Sequence, residues 1–252
     1  MLVFHSPFPV FGRKVFRVLR VAQFVFTVLL LGSSISSVCA QTDEGTGLRL
    51  AEELRVLVTE GTSVINDLQP MINSGKPAKD KVSPAALVEQ FKARYRTATS
   101  RAFDVTTSDV IGETRRAYLQ AYTNVVTRFQ LNLTVGGPDV FVPAYFRAQS
   151  LKEFNKLMQG KLWAYATNRD NELINSDWAV GNMMKNSPIA GEVTRLMTSG
   201  GLIPVVKRTG NTVMGYYPMR LGAACISCHA RDGLMQKEGE FGGALVAQIP
   251  VK

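Results

Sequence analysis

Apolar residues recur at helical spacing through the part of the chain that follows residue 47. From Leu48 to Ile72 they fall three or four residues apart, which predicts one long helix that ends at a glycine- and lysine-rich loop. Ser83 followed by Pro84 is the pattern of an N-cap and a first-turn proline, so a second helix is expected to begin there. A third stripe runs from about Ser108 to Phe129. Residues 41–135 are therefore predicted to form an N-terminal helical region.

The pattern changes after a turn-rich break at residues 134–139. Ser150 and Glu153 match a capping box, which predicts a short helix that ends near Gly160. "NSPIAGEVTRLMTSGG", from Asn186, predicts one more helix. Strand composition is found in "KLWAYAT", "LIPVVKR", "TVMGYYPMR" and "GALVAQIP". The turn "TGN" between the second and third of these predicts a hairpin. Short turns between successive strands favour an antiparallel sheet with helices packed on one side, which is an α+β fold.

Residues 1–40 differ in composition from the rest of the chain. Four basic residues and no acidic residue precede an apolar run from Val21 to Leu31, and small residues follow up to Ala40. This order is typical of a secretory signal peptide, and the run is short for a membrane span. We therefore expect export to the periplasm with cleavage after about Ala40, and residues 41–252 are expected to form one compact domain. An uncleaved N-terminal anchor is the alternative.

Charge argues against one class of partner. The whole chain has 29 basic and 20 acidic residues, and removal of the four basic leader residues lowers the net charge from +9 to +5. The remaining basic residues are dispersed rather than clustered, so no nucleic acid is expected as a partner. An acidic protein partner or an anionic membrane surface is compatible with the charge.

The segment "ACISCHA" carries nearly all of the soft metal ligands beyond the leader. Cys225, Cys228 and His229 are the only cysteines and histidine after residue 40. In a CxxCH motif the two thiols bond a c-type haem covalently and the histidine binds its iron from one face. A zinc site would want four protein ligands, a thioredoxin-type CxxC would open a helix in a βαβ unit, and a plain disulfide is the simplest alternative. The motif favours one covalently attached haem c.

The second axial ligand of such an iron is open at this stage. No second histidine follows the leader, so the choices are a methionine, a less common ligand such as lysine or tyrosine, or an open position that binds a small gas or anion. Most methionines are expected to fill gaps in the core.

Three stretches resemble a known family. They are "VFVPAYFRAQSLKEF" (140–154), "RDNELINSDW" (169–178) and "GYYPMRLGAACISCHARDG" with its closing "EGEFGGALVAQIP" (215–250). The chain resembles the PAS-like c-type haem sensor domain family, which occurs as free-standing exported proteins and as the sensing half of bacterial histidine kinases. The resemblance implies a PAS-like antiparallel sheet over residues 136–252, preceded by and packed against long N-terminal helices, with haem held between them.

The resemblance also implies roles for single residues. Cys225 and Cys228 would form the thioethers and His229 would be the proximal ligand, while Arg169 and Trp178 would line the haem pocket, with Arg169 pairing a propionate. Some members of the family use a cysteine of the N-terminal helix as the distal ligand. This chain has "SVINDLQPMI" (63–72) there instead, which leaves Met71 as the candidate.

Four functional hypotheses remain open from the sequence. The first is a redox or gas sensor that signals through a separate protein, and the second is a periplasmic electron carrier. A peroxidase-type enzyme is the third, although no distal histidine is at hand as acid or base. The fourth is a domain without haem that carries a structural disulfide. A homodimer through the N-terminal helices is compatible with each hypothesis.

Overall fold

Four helices and a four-stranded sheet make up the part of the chain that the computed structural model describes. That part comprises residues 42–73, 82–135, 143–167, 202–223, 225–226, 235 and 237–252. The helices are α1 (Glu44–Asn73), α2 (Pro84–Thr99), α3 (Val110–Val135) and α4 (Pro143–Leu157). The strands are β1 (Trp163–Thr167), β2 (Val205–Thr209), β3 (Thr212–Arg220) and β4 (Phe241–Pro250). The predicted α+β class is confirmed for these residues.

Side-chain caps set the beginnings of the first three helices. The Asp43 carboxylate accepts the Thr46 N–H at 2.9 Å, so α1 begins one turn before the predicted Leu48. The Ser83 hydroxyl accepts a hydrogen bond from the Ala86 N–H at 3.3 Å, and Pro84 follows Ser83 in the first turn, which confirms the predicted start of α2. Asp109 caps α3 by accepting the Gly112 N–H at 2.7 Å.

Helix α4 corrects one prediction. It begins at Pro143 rather than at the capping box of Ser150 and Glu153, and Ser150 lies in the middle of the helix with no exposed surface. The proline explains the earlier start, because its fixed φ suits a first helical turn. Gly160 follows the helix with a φ of +80°, as its predicted stop requires. The helix predicted from Asn186 lies outside the described residues.

The sheet has the strand order β1-β4-β3-β2, and every neighbouring pair is antiparallel. A two-residue turn joins β2 to β3, and Gly210 takes a φ of +58° there, as the predicted hairpin needs. The long strands β3 and β4 pair at the centre. The four predicted strands are thus confirmed, in an antiparallel arrangement.

Alternate residues of the strands face two different clusters. One face packs against the helices in the main core, where the rings of Phe91, Tyr118, Tyr122 and Phe154 are fully buried. The opposite face carries a smaller cluster of Tyr165, Met214, Tyr216, Ala244 and Val246. The helix-facing side is therefore the side on which side chains of α1 and α4 meet the sheet.

None of the helices in the described ranges is both long and apolar enough to cross a membrane. The signal peptide proposed for residues 1–40 lies outside these ranges.

Candidate functional site

The CxxCH motif follows the central strand β3, which ends at Arg220, after a short connection that begins with Leu221. Two backbone hydrogen bonds close the loop at its base, from the Leu221 N–H to the Glu240 carbonyl (2.9 Å) and from the Gly239 N–H to the Leu221 carbonyl (2.8 Å). Gly242 has no room for a side chain, because a Cβ there would lie 2.6 Å from a Leu221 methyl group. Leu221 is buried by this close approach. The loop is thus anchored at the end of the sheet.

Cys225 lies in a tight turn next to this anchor. The N–H groups of Cys225 and Ile226 both donate to the Gly222 carbonyl, at 2.9 and 3.3 Å. The Cys225 side chain is half-buried and forms no disulfide in the described part of the chain. Cys228 and His229 lie outside the described residues.

Arg147 of α4 lies close to Cys225 and is only 6% exposed. One guanidinium N–H donates to the sulfur of Met219, on the helix-facing side of β3. Burial lowers the pKa of Arg147 to about 10, and the nearby Cys225 thiol and Tyr118 hydroxyl partly offset this effect. α4 therefore brings a buried cation to the end of β3, within electrostatic range of the first cysteine of the motif.

Two polar atoms on this face of α4 lack a hydrogen-bond partner among the described residues. They are the Nε of Arg147 and the hydroxyl of Ser150, one turn further along the helix. No carboxylate in the described ranges forms a salt bridge with Arg147 either. Burying a charge without a partner costs several kcal/mol, so such a group points to a missing anion or acceptor.

Helix α1 runs beside β3 towards the cysteine loop. A Cβ on Gly47 would touch Val213, and one on Gly215 would touch Ala51. Four helical residues and two strand residues advance by nearly the same length, about 6 to 7 Å. Continued at this register, the second half of α1 would lie level with the base of the loop at Leu221.

That half of α1 buries further polar atoms. The Thr62 hydroxyl and the Asn66 side-chain carbonyl, four residues apart on one helical face, have no hydrogen-bond partner among the described residues. Met71 lies beyond them on the same helix, partly buried against the main core. The structure thus places the candidate distal methionine in α1, and Arg169 and Trp178 lie outside the described residues.

The other described methionines differ in their surroundings. Met158 and Met214 are buried in the two apolar clusters, as gap-filling residues would be, whereas Met235 is 98% exposed. Met219 is half-buried against Arg147. Within the described ranges, no group of three or more histidine, cysteine and acidic residues is placed to hold a metal ion.

A second charged cluster lies in the first half of α1, and its carboxylates already pair with arginines. Glu53, Arg101 and Thr99 line a cavity of about 220 Å³ there, together with other residues of α1. Glu53 accepts hydrogen bonds from Arg115 at 2.8 and 3.1 Å and from the Tyr95 hydroxyl at 2.7 Å. The exposed Arg55 pairs with Glu52. Because both of its carboxylates are paired with arginines, this cavity makes a weaker candidate than the loop after β3.

Sequence reasoning missed Arg147. The capping-box interpretation left it outside the helix, and the arginine expected near the cofactor was Arg169. A helix begun at Pro143 would have placed Phe146, Ser150 and Phe154 on one face with Arg147 beside them. That spacing is the signal that could have found it.

Comparison with models of protein families, with curated proteins and with solved structures finds no match for this chain.

Proposed function

We propose that this chain is an exported protein with one covalently attached haem c, bonded by Cys225 and Cys228 and ligated by His229. The observation that carries the proposal is the setting of Cys225, which follows the anchored end of β3 near the buried cation of Arg147, for which the described residues provide no anion. A disulfide or a zinc site gives Arg147 no anion, whereas haem brings two carboxylates. The residues of this site therefore fit haem better than they fit the alternatives.

The same proposal includes the fold and the compartment. The antiparallel sheet with helices on one face is compatible with a PAS-like domain, and the resemblance of its cysteine loop favours that assignment. Thioether attachment is typical of exported proteins, which agrees with a leader cut after about Ala40. We expect the purified mature chain to begin near Gln41, as measured by intact mass with the haem included.

Within this class we favour a redox or gas sensor that acts through a separate protein. Bound haem would supply a redox-active iron with a position for a small ligand. The buried oxygens of Thr62 and Asn66 on α1 have no hydrogen-bond partner among the described residues, which favours a site that offers polar groups to a small ligand over a sealed carrier site. An electron carrier would instead keep two strong axial ligands in both oxidation states.

The first test is haem attachment. The full chain is produced in a host that matures c-type cytochromes, and covalent haem is detected on a denaturing gel. Cys225→Ala and Cys228→Ala should each weaken or abolish the signal, and His229→Ala should change the spectrum of any haem that remains. Met235→Ala is the matched control, because this residue lies outside the motif and is 98% exposed. A colourless wild-type chain would refute the proposal.

The second test separates the sensor from the carrier. Visible spectra are recorded for ferric, ferrous and CO-treated ferrous protein. Ready binding of CO with a change of coordination supports the sensor. Low-spin spectra in both states with no response to CO support the carrier, and Met71→Ala would then show whether the sulfur of Met71 is the sixth ligand.

A further inference from the structure

A buried cation without a counter-charge is rare in folded proteins because the loss of hydration is not repaid. Arg147 is such a cation within the described part of the chain, and the Ser150 hydroxyl beside it is also buried without a partner. Residues 147 and 150 are three apart and share a face of α4. Two unpaired groups on one buried face form a built site for an acceptor.

The neighbours of Arg147 do not supply that acceptor. The Met219 sulfur is a weak acceptor and carries no charge. Burial raises the pKa of the Tyr118 hydroxyl, so this group stays neutral at physiological pH. Cys225 lies near the guanidinium, but a thiol that becomes a thioether can carry no negative charge. Among the described residues none supplies the anion, so a carboxylate of a bound group would complete this site.

We propose that Arg147, with Ser150 beside it, binds a propionate carboxylate of the haem attached at Cys225. This inference rests on the proposed function. The guanidinium offers parallel N–H groups that match the two oxygens of a carboxylate, and a hydroxyl on the same helical face can donate a further hydrogen bond. Arg147 acts here as a positioning residue of the cofactor.

The test uses the holoprotein and its reduction potential. Arg147→Gln removes a positive charge near the iron, so at a fixed ambient potential the Fe(III)/Fe(II) ratio should rise by about tenfold. Arg147→Lys keeps the charge and should recover part of the shift. Arg128→Gln is the matched control, because the Arg128 side chain is 53% exposed, and it should leave the ratio unchanged. The propionate bands of the resonance Raman spectrum should move in Arg147→Gln alone.

Three results would overturn the inference. If the wild-type chain carries no covalent haem, the proposed function fails together with it. If Arg147→Gln attaches haem normally and keeps the wild-type potential and propionate bands, only this inference fails. If the potential is unchanged but azide binds more weakly, the arginine faces a ligand of the iron and not a propionate.

A second variant guards against a general loss of stability. Arg147→Met should lower the thermal midpoint of the holoprotein, because a propionate would lose its partner. In the haem-free full chain, made by Cys225→Ala with Cys228→Ala, the same change should raise the midpoint, because an unpaired buried charge is removed. A lower midpoint in both backgrounds would mean that Arg147 supports the fold without regard to the cofactor, and would overturn the assignment. If the haem-free chain does not fold, the reduction potential of the Arg147→Gln holoprotein decides between the two explanations.

Discussion

Glu53 allows a quantitative test of how this fold holds charge in its interior. Its side chain is 4% exposed and lies at the centre of a network in which Arg115 and Tyr95 both donate hydrogen bonds to it. The Arg115 side chain is only 10% exposed. Glu53→Gln keeps the size of the side chain but removes the charge, so Arg115 would stay buried without its counter-ion.

The magnitude follows from the cost of an uncompensated buried charge. Breaking a buried ion pair by removing one partner costs about 3 to 5 kcal/mol, a large part of the 5 to 15 kcal/mol that stabilises a typical domain. With a denaturant slope of about 2 kcal/mol per molar urea, a loss of about 3 kcal/mol lowers the unfolding midpoint by about 1.5 M. We expect Glu53→Gln to lower the unfolding midpoint by at least this amount.

The neighbouring carboxylate is the control. Glu52 is 55% exposed and pairs with Arg55 across one helical turn, so Glu52→Gln should change the free energy of unfolding by no more than about 0.5 kcal/mol. The assay is urea unfolding followed by circular dichroism on identically produced proteins. Equal midpoints for the two variants would refute the reasoning. A double mutant with Arg115→Met should cost less than the two single changes combined.

Three further predictions concern stability. Burial raises the pKa of Tyr95 to about 12 in the folded chain. The unfolded chain therefore loses this proton first, and the stability that is present below pH ~10 should fall as the pH rises to about 12. Tyrosinate absorbance of Tyr95 that rises from pH ~10 while the chain is still folded would contradict this. Gly112→Ala should destabilise the start of α3 by about 2 kcal/mol, because a Cβ there would overlap the Thr107 hydroxyl and carbonyl oxygens. Gly222→Ala should be tolerated, because no atom of the described residues lies within 4 Å of the added Cβ, and a similar cost for both would refute the steric argument. Ser83→Ala removes the cap of α2 and should cost about 1 kcal/mol by urea unfolding, whereas no loss would mean that the cap is dispensable.

Local patterns were enough to predict most of the elements. Ser83 with Pro84 marked the start of α2, and the two-residue turn at Gly210 marked the hairpin, because both depend on neighbours in sequence. The capping box predicted at Ser150 was wrong because that prediction also used only neighbours in sequence. A serine three residues before a glutamate has the pattern of a cap, but the burial of Ser150 against the rest of the molecule is not a local property.

The sequence by itself determined the helical first half, the strands and hairpin of the second half, and the CxxCH motif at the end of β3. These follow from periodicity and from residue types a few positions apart. Only the tertiary structure decided that Arg147 lies beside Cys225 and that no described carboxylate pairs with it. The two residues are 78 positions apart, and the packing of α4 on the sheet brings them together. Whether a charge is buried and what faces it depend on all the elements around it, which no local pattern contains.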